Sequence, residues 1–141
     1  MKLVKIKTLE GRIWKLCRAI IRSKYGIDKC FICGNEVTEL KKLHTAHLFK
    51  KETLPLQLKY SLRILRPCCY TCNRSRHGNE GWFVVRLIEE EGLEYLNHII
   101  YDIRNLEDIT SNPLKREFLL ALEKEYAMIL HVHQRTTTPV K

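Results

Sequence analysis

Two stretches decide the fold of this chain: Cys30-Phe31-Ile32-Cys33-Gly34 and Cys69-Tyr70-Thr71-Cys72-Asn73. Each is a C-x-x-C turn that directs two thiols towards one point, and two such turns supply the four ligands of a tetrahedral structural zinc ion. Four buried, reduced cysteines without a metal are the alternative interpretation. We predict a zinc site whose ligands are Cys30, Cys33, Cys69 and Cys72. Cys68 is the spare cysteine, because Cys69 gives the C-x-x-C spacing.

The 35 residues between the two C-x-x-C turns are enough to form a pair of strands between the two halves of the zinc site. Residues 40–49 are predicted to form the first strand, with residues 58–65 as its partner. Pro67 is predicted to end the second strand, since proline cannot donate a hydrogen bond within a sheet. His47 and His44 then lie on opposite faces of the first strand, because side chains alternate along a strand.

Apolar residues recur at helical spacing on both sides of this hairpin. The pattern predicts a helix over residues 8–25, with Thr8 as its N-terminal cap and Gly26 at its end. A later helix is predicted over residues 93–104. Asn112-Pro113 predicts the start of the last helix, because proline is favoured at the first helical position.

The length of 141 residues suits one domain with a modest hydrophobic core. We interpret residues 1–141 as a single α+β domain. Its core spans about residues 26–92, and its C-terminal helical part spans residues 93–135.

Charge is distributed unevenly along the chain. Residues 1–80 carry 18 basic and 6 acidic side chains, net +12, whereas residues 81–141 carry 7 and 10, net −3. A basic half that bears a metal site indicates a polyanionic partner, most simply nucleic acid; charge that only maintains solubility is the alternative. Since the sequence has no apolar run of about 20 residues and no signal-peptide pattern, we expect a cytoplasmic protein without a membrane partner.

Four side chains within or shortly after the predicted hairpin are of the types that hydrolytic chemistry needs. His47 can act as a general base, because a neutral imidazole accepts a proton near neutral pH. Asn73, directly after the last cysteine, offers an amide oxygen to a metal ion, with a helix N-cap as the alternative role. His44 and His77 can either complete the shell of that metal or contact phosphate.

The ordered set of motifs resembles the phage NinG/Rap recombination nucleases. The resemblance covers about residues 12–96, and is carried by Trp14-Lys15-Leu16, Cys30-x-x-Cys33-Gly34, Ala46-His47-Leu48-Phe49, Cys69-x-x-Cys72-Asn73-Arg74 and Gly78-Asn79. More widely, the chain is similar to zinc-clamped His-Me finger (HNH) resolvases of the endonuclease VII type. Ala46 stands where many His-Me nucleases have Asp or His.

The resemblance implies a zinc-stapled ββα-metal core that cleaves DNA with Mg²⁺ or Mn²⁺ in phage recombination or DNA processing. The substrate that it implies is branched DNA such as a Holliday junction. It implies that His47 is the general base and Asn73 a ligand of the catalytic metal, with His44, His77 and Asn79 as further candidate ligands. Basic side chains around the hairpin are expected to grip backbone phosphates: Lys41, Lys42, Lys50, Lys51, Arg63, Arg66, Arg74 and Arg76. A non-catalytic zinc module that binds nucleic acid is the alternative, and a homodimer is an expected assembly.

Overall fold

The computed structural model describes residues 2–75 and 80–137, and it is α+β and mostly helical. Its helices are α1 (Ile6–Tyr25), α2 (Leu56–Lys59), α3 (Glu80–Glu91), α4 (Leu93–Asn105) and α5 (Asn112–Thr137). One two-stranded antiparallel sheet is formed by β1 (Leu43–His47) and β2 (Leu65–Cys69). Short 3-10 turns lie at Leu40–Lys42, Lys51–Thr53 and Leu62–Ile64, and a π-helical turn lies at Thr71–Ser75.

Helix α1 follows the predicted pattern, and its apolar face is buried. Gly26 ends it at a positive φ of 87°, and the Gly26 N–H donates to the Arg22 carbonyl at 2.9 Å. The predicted start is wrong, since the helix begins at Ile6 and Lys5 stands at the cap position without a side-chain cap. Thr8 therefore lies inside the first turn.

The first strand is confirmed in part, since β1 covers residues 43–47 of the predicted 40–49, whereas the second strand is shifted along the chain. Residues 58–65 were expected to pair with β1, whereas the paired strand is Leu65–Cys69, with His47 opposite Leu65 and Leu43 opposite Cys69. Pro67 lies inside β2. A two-stranded sheet tolerates it because each strand has a free edge, and the Pro67 carbonyl accepts a hydrogen bond from the Phe31 N–H at 2.9 Å.

Most of the predicted second strand is not a strand. Residues 58–65 contain the end of the short helix α2, the 3-10 turn Leu62–Ile64 and, at their last position, the first residue of β2. Leu56 and Leu58, which alternate as strand residues do, are the buried residues of α2. Pro55 stands at its N-terminal cap with an extended ψ of 153°, and its carbonyl accepts hydrogen bonds from Leu58 and Lys59. This turn brings the Lys59 carbonyl close to β1.

The C-terminal helices pack on the basic half of the chain. Helix α5 lies along α1, with Leu119 and Tyr126 buried between them and the core. The Tyr126 hydroxyl donates to the Tyr60 carbonyl at 2.5 Å. Most of the buried apolar residues form one cluster that runs from α1 through the sheet to α5.

Helices α3 and α4 are joined by Gly92 alone, which has a positive φ of 90°. The start of α4 agrees with the predicted range, and the helix ends one residue later, at Asn105. Within the described ranges, no helix has the length and apolar character needed to cross a bilayer.

Candidate functional site

The two C-x-x-C turns meet, as their spacing predicts. The sulfur atoms of Cys30, Cys33, Cys69 and Cys72 all lie within 4.8 Å of one another. The Sγ atoms of Cys33 and Cys69 are 3.9 Å apart, close to the roughly 3.8 Å edge of a tetrahedron with Zn–S distances of about 2.3 Å. The four thiols therefore form a group that can hold a metal ion such as zinc.

Local backbone geometry aims these thiols at one point. In the first turn, the Gly34 N–H donates to the Cys30 carbonyl at 2.9 Å, and Gly34 adopts a φ of 74°, which favours glycine. In the second turn, the Cys72 N–H points at the Cys69 sulfur, 3.5 Å away. The bond from Phe31 to the carbonyl of Pro67 ties the first turn to β2.

Cys68 lies next to the four-thiol group but does not belong to it. It is fully buried, and its sulfur lies 3.3 Å from the Cys69 carbonyl oxygen. A hydrogen bond from the Cys68 thiol lowers the pKa of Cys30 to about 4, while that same bond and burial raise the pKa of Cys68. Cys68 thus stays a thiol and stabilises the thiolate of its neighbour.

His47, at the end of β1, is held on two sides. Its Nε2 lies 2.8 Å from the Lys59 carbonyl oxygen. Because a carbonyl only accepts hydrogen bonds, Nε2 carries the proton and Nδ1 keeps its lone pair in the neutral ring. Its ring stacks on Trp14 with centroids 5.1 Å apart. Burial lowers the pKa of His47, and the Lys51 charge adds to this, so the neutral imidazole is favoured.

Asn73 is bonded to His44. The Asn73 Nδ2 lies 2.9 Å from the His44 Nδ1, and since an amide nitrogen only donates, Nδ1 is the acceptor. Burial lowers the pKa of His44, with smaller contributions from the positive charges of Arg74 and Arg22. With Nδ2 engaged, the Oδ1 of Asn73 is the atom left to accept a hydrogen bond or ligate a cation.

Asn73 is not the N-cap of a described helix, which was its alternative role. Asn73 lies in the middle of the π-helical turn Thr71–Ser75, and the next described helix begins at Glu80. Its side-chain nitrogen turns back to β1.

His47 and Asn73 line the same open pocket, which we call the His47 pocket. Its cavity volume is about 280 Å³. It is bordered by the basic residues Lys50, Lys51 and Arg74 and by two carboxylates, Glu52 and Glu80. One pocket therefore combines a neutral imidazole, an amide oxygen, carboxylate oxygens and three cations.

A second pocket, which we call the arginine pocket, adjoins the first through Asn73 and Arg74. Its cavity volume is about 390 Å³, and its cationic members are Arg18, Arg22, Lys41 and Arg74. None of the described residues that line it is acidic. Trp14 and His44 also border it.

Sequence reasoning missed the contribution of α1 to this region. Trp14, Arg18 and Arg22 recur every four residues, which sets them on one face of the helix beside its buried stripe. The spacing was visible in the sequence. Which part of the protein this face of α1 contacts depends on the antiparallel register of β1 and on the packing of α1, and both are tertiary features.

The basic side chains expected to contact phosphate differ in their exposure and in their partners. The prediction that Arg66 contacts phosphate at the surface is wrong, because Arg66 is fully buried. Its guanidinium forms ion pairs with Glu90 and Glu91 and lies over the rings of Tyr25 and Phe31. The side chain of Arg63 pairs with Asp102 at 2.6 Å, away from both pockets.

Lysines at the edges of the two pockets have local partners. Lys41 and Lys42 pair with Glu39 at 3.1 and 2.6 Å, and both remain largely exposed. The ammonium group of Lys51 lies over the rings of Trp14 and Tyr60, 5.7 and 5.3 Å from their centroids. These contacts leave the charges at the surface, near the pockets.

Arg76, His77 and Asn79 lie outside the described residues. Within residues 2–75 and 80–137, the four cysteines are the only group of three or more His, Cys, Asp or Glu side chains that can hold a metal ion. Of the residues expected to ligate a catalytic metal, Asn73 and His44 are described, and their side chains are hydrogen-bonded to each other.

No protein-family model, curated protein sequence or solved structure matches this chain.

Proposed function

We propose that this protein is a metal-dependent DNA endonuclease that hydrolyses phosphodiester bonds, with zinc held by its four clustered cysteines. The observation that carries the proposal is the pairing, in one pocket, of His47 and Asn73. His47 has its Nε2 proton committed to a backbone carbonyl, which leaves Nδ1 free. A general base needs this arrangement, since it must offer a lone pair at a fixed position.

His47 would accept the proton of the attacking water at Nδ1. Its pKa is lowered chiefly by burial, so the ring remains neutral at pH values where an ordinary histidine, with a pKa of about 6.5, begins to charge. The Lys59 carbonyl then holds the imidazolium that forms, because Nε2–H continues to donate to it. The stacked Trp14 fixes the plane of the ring.

Side chains with oxygen donors of the type that Mg²⁺ or Mn²⁺ prefers line the His47 pocket. Hard cations take oxygen ligands, and the pocket offers the Asn73 amide oxygen and the carboxylates of Glu52 and Glu80. A bound divalent cation would stabilise charge on the phosphate oxygens and on the leaving oxygen. Lys50 and Arg74, on the rim of the same pocket, would hold the flanking backbone by charge.

A plasmid-nicking assay with added Mg²⁺ or Mn²⁺ tests this proposal. We expect the wild type to nick, and His47→Ala to lose roughly 10²–10⁴-fold in rate, the contribution of general-base catalysis. His131→Ala is the matched control, because His131 is exposed on α5 and should nick as the wild type does. Nicking by His47→Ala at the wild-type rate would refute the assignment.

A non-catalytic zinc module that binds nucleic acid is the second candidate function. The arginine pocket favours it specifically, since four cations without a lining carboxylate serve binding whether or not catalysis occurs. Binding of DNA by the wild type with no nicking in either metal would select this function. Side-by-side junction, flap and linear duplex substrates would test the expected preference for branched DNA.

A further inference from the structure

We propose that the arginine pocket is a dedicated binding site for a phosphate group adjacent to the phosphate in the His47 pocket. The inference rests on the proposed function for the identity of the polyanion as nucleic acid and for the phosphate in the His47 pocket. The two pockets share Asn73 and Arg74. A strand whose phosphate reaches His47 would therefore bring a neighbouring phosphate to this site.

Charge is the first argument. The pocket collects Arg18 and Arg22 from α1, Lys41 before β1 and Arg74 after β2, so three separate segments converge on it. Guanidinium groups bind phosphate with paired hydrogen bonds, which fixes orientation as well as charge. A concave site of one sign also concentrates the field of its charges.

Unused donors are the second argument. The Nε of Arg22 is buried and has no hydrogen-bond partner among the described residues, although its Nη2 donates to the Leu43 carbonyl at 3.2 Å. A buried donor without a partner is costly, and an anionic ligand would satisfy it. Arg18 has neither a hydrogen bond nor an ion pair within residues 2–75 and 80–137.

The His47 pocket provides the contrast. There, Glu52 and Glu80 accompany three cations, which suits a metal ion and a reacting phosphate together. The arginine pocket has no such carboxylate among its described residues. Its chemistry suits a bare phosphate group that is bound and not cleaved.

Binding of a short, fluorescently labelled duplex, measured by anisotropy over a range of KCl concentrations, tests the proposal. The measurement uses full-length His47→Ala protein, so that the ligand stays intact. Adding Arg18→Gln should weaken binding and lower the slope of log K against log salt by about 0.9, the value for one lost phosphate contact. Lys15→Gln is the matched control, because it removes one charge from an exposed position of α1 outside the pocket.

Two duplexes distinguish the sources of the phosphate. If Arg18→Gln loses the same affinity for hydroxyl-ended and 5′-phosphorylated duplexes, the bound group is an internal phosphodiester. If it loses affinity only for the phosphorylated duplex, the bound group is a terminal phosphomonoester. Equal affinities and slopes for Arg18→Gln and Lys15→Gln would overturn the proposal. Because binding is measured without turnover, a wild type that fails to nick would refute the catalytic function and leave this result intact.

Discussion

The indole of Trp14 lies parallel to the imidazole of His47, with ring centroids 5.1 Å apart and planes inclined by only 8°. The contact joins α1 to the last residue of β1. The imidazole is therefore enclosed by an aromatic plate on one face and a backbone carbonyl at its edge. Trp14 is a positioning residue for the proposed general base.

Trp14→Leu should move the acidic limb of the kcat/KM–pH profile to higher pH. Burial is the main cause of the lowered His47 pKa, so admitting water raises that pKa towards its ordinary value of about 6.5. A base with a higher pKa is protonated over a wider acidic range, and activity is lost earlier as pH falls. Steady-state rates across pH on one DNA substrate measure the shift.

Trp14→Phe is the control for this prediction, because it retains an aromatic plate and should move the limb less. A Trp14→Leu protein with a lower rate and an unchanged limb would assign Trp14 a role in folding alone. Lys51 and Glu52 also act on the His47 pKa, in opposite directions, and both remain in these variants.

The sequence was most informative where spacing alone imposes geometry. Two C-x-x-C turns predict a four-thiol cluster wherever the chain brings them together, and the thiols of Cys30, Cys33, Cys69 and Cys72 do meet. The apolar stripe of α1 and the glycine that ends it were predictable for the same reason, since helical periodicity and a positive φ are local properties.

Features that depend on partners far along the chain were not predictable. The second strand was predicted to begin at residue 58, seven residues before β2 begins, because buried leucines at positions 56 and 58 alternate as strand residues do. Arg66 looked like a surface cation, since nothing nearby in sequence reveals Glu90 and Glu91 as its partners. The tertiary fold decides both.

Cys69→Ser should lose bound metal and unfold or aggregate, whereas Cys68→Ser should retain about one zinc per chain. Cys69 is a member of the four-thiol group, and metal binding to such a group contributes roughly 10–16 kcal/mol in small zinc domains. The serine hydroxyl at position 68 can still donate to the Cys30 sulfur. Metal analysis with circular dichroism measures both effects, and equal damage from the two substitutions would contradict this ligand assignment.

Arg66→Ala should lower the free energy of unfolding by about 3 kcal/mol without changing the salt slope of DNA binding. Removing one partner of a buried ion pair costs about 3–5 kcal/mol, and the lower end applies because Glu90 and Glu91 remain 32% and 31% exposed. Arg74→Ala is the contrasting variant, since Arg74 is exposed and lines both pockets.

For Arg74→Ala, we expect a stability change within about 0.5 kcal/mol and weaker DNA binding. Urea denaturation and anisotropy titrations separate the two behaviours. A large loss of DNA affinity in folded Arg66→Ala protein would contradict this prediction, because it would show that the guanidinium contacts DNA.

Asn73→Asp and Asn73→Ala separate the two roles that Asn73 can have. If its Oδ1 ligates the catalytic cation, Asp keeps a suitable oxygen and should retain most of the nicking activity, whereas Ala should lose it. If Asn73 acts only by donating from Nδ2 to the Nδ1 of His44, both substitutions remove that donor and should be equally damaging. An aspartate beside His44 would also favour the imidazolium, so His44 would titrate at higher pH in Asn73→Asp protein. Nicking rates in Mg²⁺ and in Mn²⁺, with an NMR titration of His44, distinguish these cases. An inactive Asn73→Asp protein that is folded and retains its zinc would exclude Asn73 as a ligand of the catalytic metal.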